Sequence, residues 1–257
     1  MTASAATGAA TLTGLTAHAA ESASAARDYY ELRQYLIDTE EQRKGLDAFL
    51  RDAAIPAVHR LGIRPVGVFY PREGLSPVYV LIRHKSLDSL VTLRARLWGD
   101  SEFLAKGAAF LDAPADKPAY KRVESSLLVA FKGMPELETP IRSPGRVLQL
   151  RIYESPSVKT GQKKIEMFND AGEIKIFRAV GLHPVFFGET LVGAKMPNLT
   201  YLLVFESEEQ LKANWDKFRN FPDWLKLRAM PEYADKAILS PGGITNLVLK
   251  PAPYSEI

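Results

Sequence analysis

The chain has 257 residues, 46% hydrophobic and 25% charged, with 33 Lys and Arg against 30 Asp and Glu and no cysteine. That length suits one large domain or two small ones with cores of their own, and the missing cysteine excludes disulfides, iron–sulfur clusters, thiolate metal sites and cysteine nucleophiles. The net charge of +3 is interleaved with acids rather than gathered into a basic stripe, which argues against a nucleic-acid partner, and no apolar run is long enough to form a membrane span.

Residues 1–27 are mostly Ala, Thr, Ser and Gly with no apolar period, so the composition predicts a disordered tail. Ala17-His18-Ala19 also fits a small-x-small cleavage site, although no Lys or Arg precedes Arg27. The stretch is similar to the part of a twin-arginine export signal that follows the arginine pair. A periplasmic or exported location goes with that reading and a cytoplasmic one with a plain tail.

Residues 29–37 alternate and are rich in Tyr and Leu, which predicts a strand. Residues 40–60 place Leu46, Phe49, Leu50, Ala53 and Ala57 at helical spacing, with Pro56 expected to kink the run and Gly62 to stop it. Strands are expected at 65–70 and 78–83, a helix at 87–106 through Leu90, Leu93, Leu97 and Leu104, and a strand at 126–131. A linker at 134–145 carries three prolines. The order then recurs: a strand at 147–153, a helix at 159–179 with irregular phase near Gly172, and strands at 184–188 and 200–206. A helix opens on the capping-box pattern Ser207-Glu208-Glu209-Gln210 and stops at Pro222. A short helix at 224–230 and a strand at 244–249 follow.

The two halves also share words. Glu31-Leu32-Arg33-Gln34-Tyr35 matches Gln149-Leu150-Arg151-Ile152-Tyr153, Leu61-Gly62-Ile63-Arg64-Pro65-Val66 matches Val180-Gly181-Leu182-His183-Pro184-Val185, and Tyr79-Val80-Leu81-Ile82 matches Tyr201-Leu202-Leu203-Val204. An offset of about 120 residues exceeds any solenoid period and suits a duplicated domain. The fold class read from this is α+β: two tandem ferredoxin-like βαββαβ units, residues 28–140 and 146–257, that cover each other's open sheet faces as an intramolecular dimeric α/β-barrel.

Three stretches resemble the NIPSNAP family: Leu150-Arg151-Ile152-Tyr153; Leu199-Thr200-Tyr201-Leu202-Leu203-Val204-Phe205-Glu206-Ser207 with its acidic helix start; and Phe221-Pro222-Asp223-Trp224-Leu225 with the ending Asn246-Leu247-Val248-Leu249-Lys250-Pro251. The resemblance covers nearly everything after Arg27 and is closer in the second copy. It implies the dimeric α/β-barrel form of the ferredoxin-like fold and brings no catalytic motif with it.

Among the four histidines no HxH, HExxH or His–acid cluster occurs, so no metal is expected, and no GxSxG, P-loop or GxGxxG appears. No cofactor is implied. The duplicated Leu-Arg-x-Tyr is the best constellation. Alternation puts Leu148, Leu150 and Ile152 on one strand face, expected under the helices, and Arg151 and Tyr153 on the other, expected inside the barrel. Arg33 and Tyr35 follow suit, and His183 joins them at the barrel rim. Such a set would bind a small anionic or aromatic ligand, or else form a polar layer with Glu31 or Glu206 that fixes the halves together. His183 is also open to a turn role or, by analogy with relatives sharing this barrel, to haem ligation. Trp98, Trp215 and Trp224 read as core. Two functions follow: a ligand-binding or interaction barrel, possible as a homo-oligomer, or a cofactor-free monooxygenase or isomerase with a polar pocket inside the barrel. A roomy interior would favour the enzyme and a filled one the binding module.

Overall fold

The computed structural model describes residues 26–257, so the expectations for the tail up to residue 25 lie outside the described residues. The first copy runs β1 (Tyr29–Leu36), α1 (Glu40–Phe49), a π-helical turn (Leu50–Ala54), α2 (Ile55–Arg60), β2 (Val66–Pro71), β3 (Val78–His84), α3 (Leu87–Val91), α4 (Leu93–Trp98), α5 (Ser101–Leu111) and β4 (Arg122–Ala130). The second runs β5 (Val147–Glu154), α6 (Val158–Asn169), α7 (Glu173–Ala179), β6 (His183–Val192), β7 (Asn198–Phe205), α8 (Glu208–Asn220), α9 (Pro222–Arg228), a short 3₁₀ turn (Pro231–Tyr233), α10 (Asp235–Ile238) and β8 (Ile244–Pro251). Both are βαββαβ.

The helices break where local chemistry demands it. Pro56 cannot donate a backbone hydrogen bond, and the helix absorbs this with the widened turn that ends at Ala54 and no break. Gly172, with φ +94°, separates α6 from α7, a conformation that a Cβ would disfavour. The single helix expected at 87–106 is three pieces, the last capped by the Asp100 side chain on the Phe103 N–H. Ser207 caps α8 by accepting from the Gln210 N–H, but Gln210 returns its side chain to the Glu206 N–H instead of closing the box on Ser207.

All eight strands close one antiparallel barrel in the order β1-β3-β2-β8-β5-β7-β6-β4. Each copy contributes four neighbouring strands. Two seams join the copies, β2 to β8 through Phe69–Pro251, Tyr70–Lys250 and Pro71–Leu249, and β4 to β6 through Leu127–Val192 to Ala130–Gly188. Closure leaves no sheet edge open. The interior is filled by side chains: Tyr30, Leu32, Phe69 and Leu81 from the first copy meet Leu148, Leu150, Phe186 and Leu202 from the second in one buried cluster. The outer faces pack under helices as two further cores, one per copy.

Candidate functional site

The structure inverts the face assigned to the Leu-Arg-x-Tyr strands. Leu148 and Leu150 point into the barrel, whereas Tyr35 and Tyr153 belong to the helix-side cores and Arg33 and Arg151 share their faces. Alternation fixes which residues share a face but not which face is inside. The physical choice is clear once the barrel is seen to be filled: a guanidinium there would lose its water, while the sheet–helix layer has an open edge. β1 and β5 also stand four places apart in the eight-strand ring, so Arg33 and Arg151 never share a pocket. His183 begins β6 opposite the interior-facing Val204, half-buried at a barrel end and on the other side of the sheet from Arg151.

What the second copy builds is a cleft of about 540 Å³ between the outer face of β5 and β8 and helices α6 to α10. Arg151 lies at its centre. Its guanidinium carbon is 4.8 Å from the Trp215 ring and 5.3 Å from the Tyr153 ring, both within cation–π range. Its Nε is buried without a hydrogen-bond partner, and among the described residues no carboxylate forms an ion pair with it. The neighbouring polar groups are neutral and satisfied by one another: the Trp215 indole N–H donates to Gln149 Oε1 at 2.6 Å, and Gln149 Nε2 donates to Asn246 Oδ1 at 2.7 Å.

Deeper in the cleft, Lys164 of α6 pairs with Glu173 at the start of α7 at 3.1 Å, and each side chain is 3% exposed or less. Burial pushes the Glu173 carboxyl above its usual range, with Lys164 opposing that shift. The Tyr153 and Tyr201 hydroxyls are hydrogen-bonded at 2.9 Å, and burial raises the Tyr201 phenol well above its ordinary value. Five cations and three carboxylates line the cleft.

The first copy treats the same position differently. Arg33 makes two bonds to Glu31, at 2.7 and 2.9 Å, and Ser125 donates to Glu31 at 3.0 Å. The buried His84 ring lies 3.8 Å from the same carboxylate. Burial alone would raise the Glu31 carboxyl, but His84, Arg33 and Ser125 outweigh it and hold it down at about 2. Strand register makes Gln149 the counterpart of Glu31 and Phe205 that of His84.

Lys164, Glu173, Gln149 and Tyr201 were not singled out by the sequence. Lys164 carried a signal: it falls four residues before Phe168, on the buried stripe of α6, where a lysine is out of place. Trp215 and Trp224 do pack against the second core and also line the cleft, whereas Trp98 is 56% exposed rather than core.

The NIPSNAP family model matches residues 30–133 and again 148–256. The chain belongs to the NIPSNAP family. Among solved structures, it is similar to a Lactobacillus acidophilus protein proposed to be a monooxygenase, with 9% identity over 88% of this chain and 94% of that one and a TM-score of 0.58. It is also similar to an anthrone oxidase-like protein, with 9% identity over 88% and 92% and a TM-score of 0.51. A NIPSNAP-like domain protein from Burkholderia xenovorans matches at 17% identity over 45% of this chain and 92% of that one, with a TM-score of 0.39. At such identities the first two of these likenesses speak for the fold alone. No curated protein matches the sequence. In this NIPSNAP chain His183, the residue for which haem ligation was one expectation, does not line the cleft.

Proposed function

We propose that this NIPSNAP-family chain binds a small organic anion with an aromatic body in the second-copy cleft, and that the first copy serves as the structural half of the barrel. The observation that carries the reading is the asymmetry between the two arginines. Arg33 is neutralised by its own Glu31, while Arg151, with Gln149 in place of that glutamate, keeps a buried Nε unpartnered and faces open space. A half-buried guanidinium whose Nε has no partner and which lacks a carboxylate is left incompletely satisfied, and a ligand carboxylate or phenolate is the natural partner. The Trp215, Phe177 and Phe218 rings supply an apolar, aromatic wall for the rest of such a ligand.

The filled barrel leaves no room for the interior pocket expected from the sequence, and the reading moves to the sheet–helix layer. Calorimetric titration with benzoate, phenylacetate and the neutral benzyl alcohol tests it. Benzoate and phenylacetate should bind and benzyl alcohol should not. The Arg151→Met variant should lose that binding and Arg33→Met should retain it. Equal binding of acid and alcohol, or an Arg151→Met variant that binds as wild type, would refute it.

A further inference from the structure

Anion binding by Arg151 leaves the Lys164–Glu173 pair without a task. A buried ion pair is a weak source of stability, because desolvation of both charges offsets much of their attraction, and two apolar side chains would fill the space as well. This pair also lies where chemistry would occur: both residues line the same cleft as Arg151, and the Lys164 ammonium is 5.5 Å from the Tyr153 ring that Arg151 also approaches. The charged groups that act on Glu173 are Lys164 on α6, Arg151 on β5 and Asp235 at the start of α10, with the Tyr153–Tyr201 phenols on β5 and β7 close by. A carboxylate with this burial, one cation in direct contact and a second nearby to orient a substrate is the arrangement of a general base.

We propose that the second-copy cleft catalyses proton transfer on small anionic aromatic carbonyl compounds, with Glu173 removing an acidic C–H proton and Lys164 meeting the charge that develops on the carbonyl oxygen. The proposal rests on Arg151 taking the substrate's carboxylate. The Glu173 carboxylate accepts the proton, the C–H electron pair becomes a C=C bond, and the carbonyl π pair moves to oxygen, which takes a proton from the Lys164 ammonium. The proton on Glu173 then crosses the 3.1 Å contact to Lys164, which restores both groups. The net change is a keto–enol tautomerisation that consumes no oxidant or reductant. A purely structural pair would leave this exchange chemistry absent.

The test uses the full chain and phenylpyruvate in D₂O, with loss of the methylene proton signal followed by NMR and binding of benzoate measured in parallel. Wild type should accelerate exchange about 10²-fold or more over buffer. The acceleration should grow with pH through the raised Glu173 carboxyl and not through the ordinary carboxylate range. Glu173→Gln should bring exchange down to the buffer rate while benzoate still binds. If the lone Lys164 unfolds that variant, the paired Lys164→Met, Glu173→Met variant should fold, bind benzoate and fail to exchange. Exchange at the buffer rate in wild type that binds benzoate overturns the proposal alone, as does full exchange by either Glu173 variant. Failure of wild type to bind both benzoate and phenylpyruvate overturns the anion reading beneath it as well.

Discussion

Gln149 stands where Glu31 stands in the first copy, each two residues before its arginine and on the same outer face of its strand. One carboxylate exchanged for an amide decides which guanidinium is neutralised internally. Gln149→Glu should therefore close the second-copy cleft to anions. The new carboxylate would sit beside Arg151 and still accept the Trp215 N–H. A charge-assisted hydrogen bond is worth about 1.5–3 kcal/mol, so benzoate affinity should fall at least about tenfold, with the melting temperature held or raised. Titration of the variant alongside Arg151→Met checks this; undiminished affinity would show that Arg151 is not the anion's partner.

The Glu31 cluster makes a separate prediction about acid. Its carboxyl is held at about 2 in the folded protein, against an ordinary value near 4.5. Because the folded value is depressed, the stabilisation is present above pH 4.5 and is lost as pH falls from there towards 2. Its size at neutral pH is on the order of 3 kcal/mol. Urea denaturation should find Glu31→Gln less stable than wild type by roughly that amount at pH 7. The gap should close progressively below pH 4.5. A gap that stays constant down to pH 2 would mean that the Glu31 charge is not what the cluster stabilises.

The strands, their order and the duplication were legible because period-2 alternation and repeated words survive in each copy. The side that faces inward was not legible. Leu150 and Arg151 had to lie on opposite faces, but an apolar barrel interior and an apolar helix-side layer impose the same alternation, and only closure of the ring distinguishes them. The Lys164–Glu173 pair was hidden for another reason. It depends on the Gly172 turn folding α7 back so that residues nine apart meet, and nothing in the spacing announces that contact. Lys164 alone carried a signal that could have exposed it, as a charge on an otherwise buried stripe.

Because the interior is filled, its side chains should behave as core and not as a binding site. Leu150 is 1% exposed and packs among residues of both copies. Leu150→Ala removes most of a buried side chain and leaves a cavity, at a cost of about 2–5 kcal/mol. Arg151→Ala, by contrast, removes a partly exposed cation at the cleft and should cost much less. Chemical denaturation of the two variants should reproduce this order. The reverse order would place the arginine in the core and the leucine at the open layer.

The two copies should unfold together. Their strands are hydrogen-bonded at both seams, and the central cluster draws on each copy for its largest side chains, so neither half can bury its inner sheet face alone. Gly188 gives a way to strike one seam only. It pairs with Ala130, and a Cβ there would come within 3.0 and 3.2 Å of the Leu128 side chain and 3.5 Å of the Val129 carbonyl. Gly188→Val adds still more bulk, so strands β4 and β6 must move apart or Leu128 must shift, at a cost of about 1–3 kcal/mol. Calorimetry should record one transition for wild type and one, at lower temperature, for the variant. Two resolved transitions in the variant would mean that each copy holds a core stable without the other, and that the barrel is a docked pair rather than a single cooperative unit.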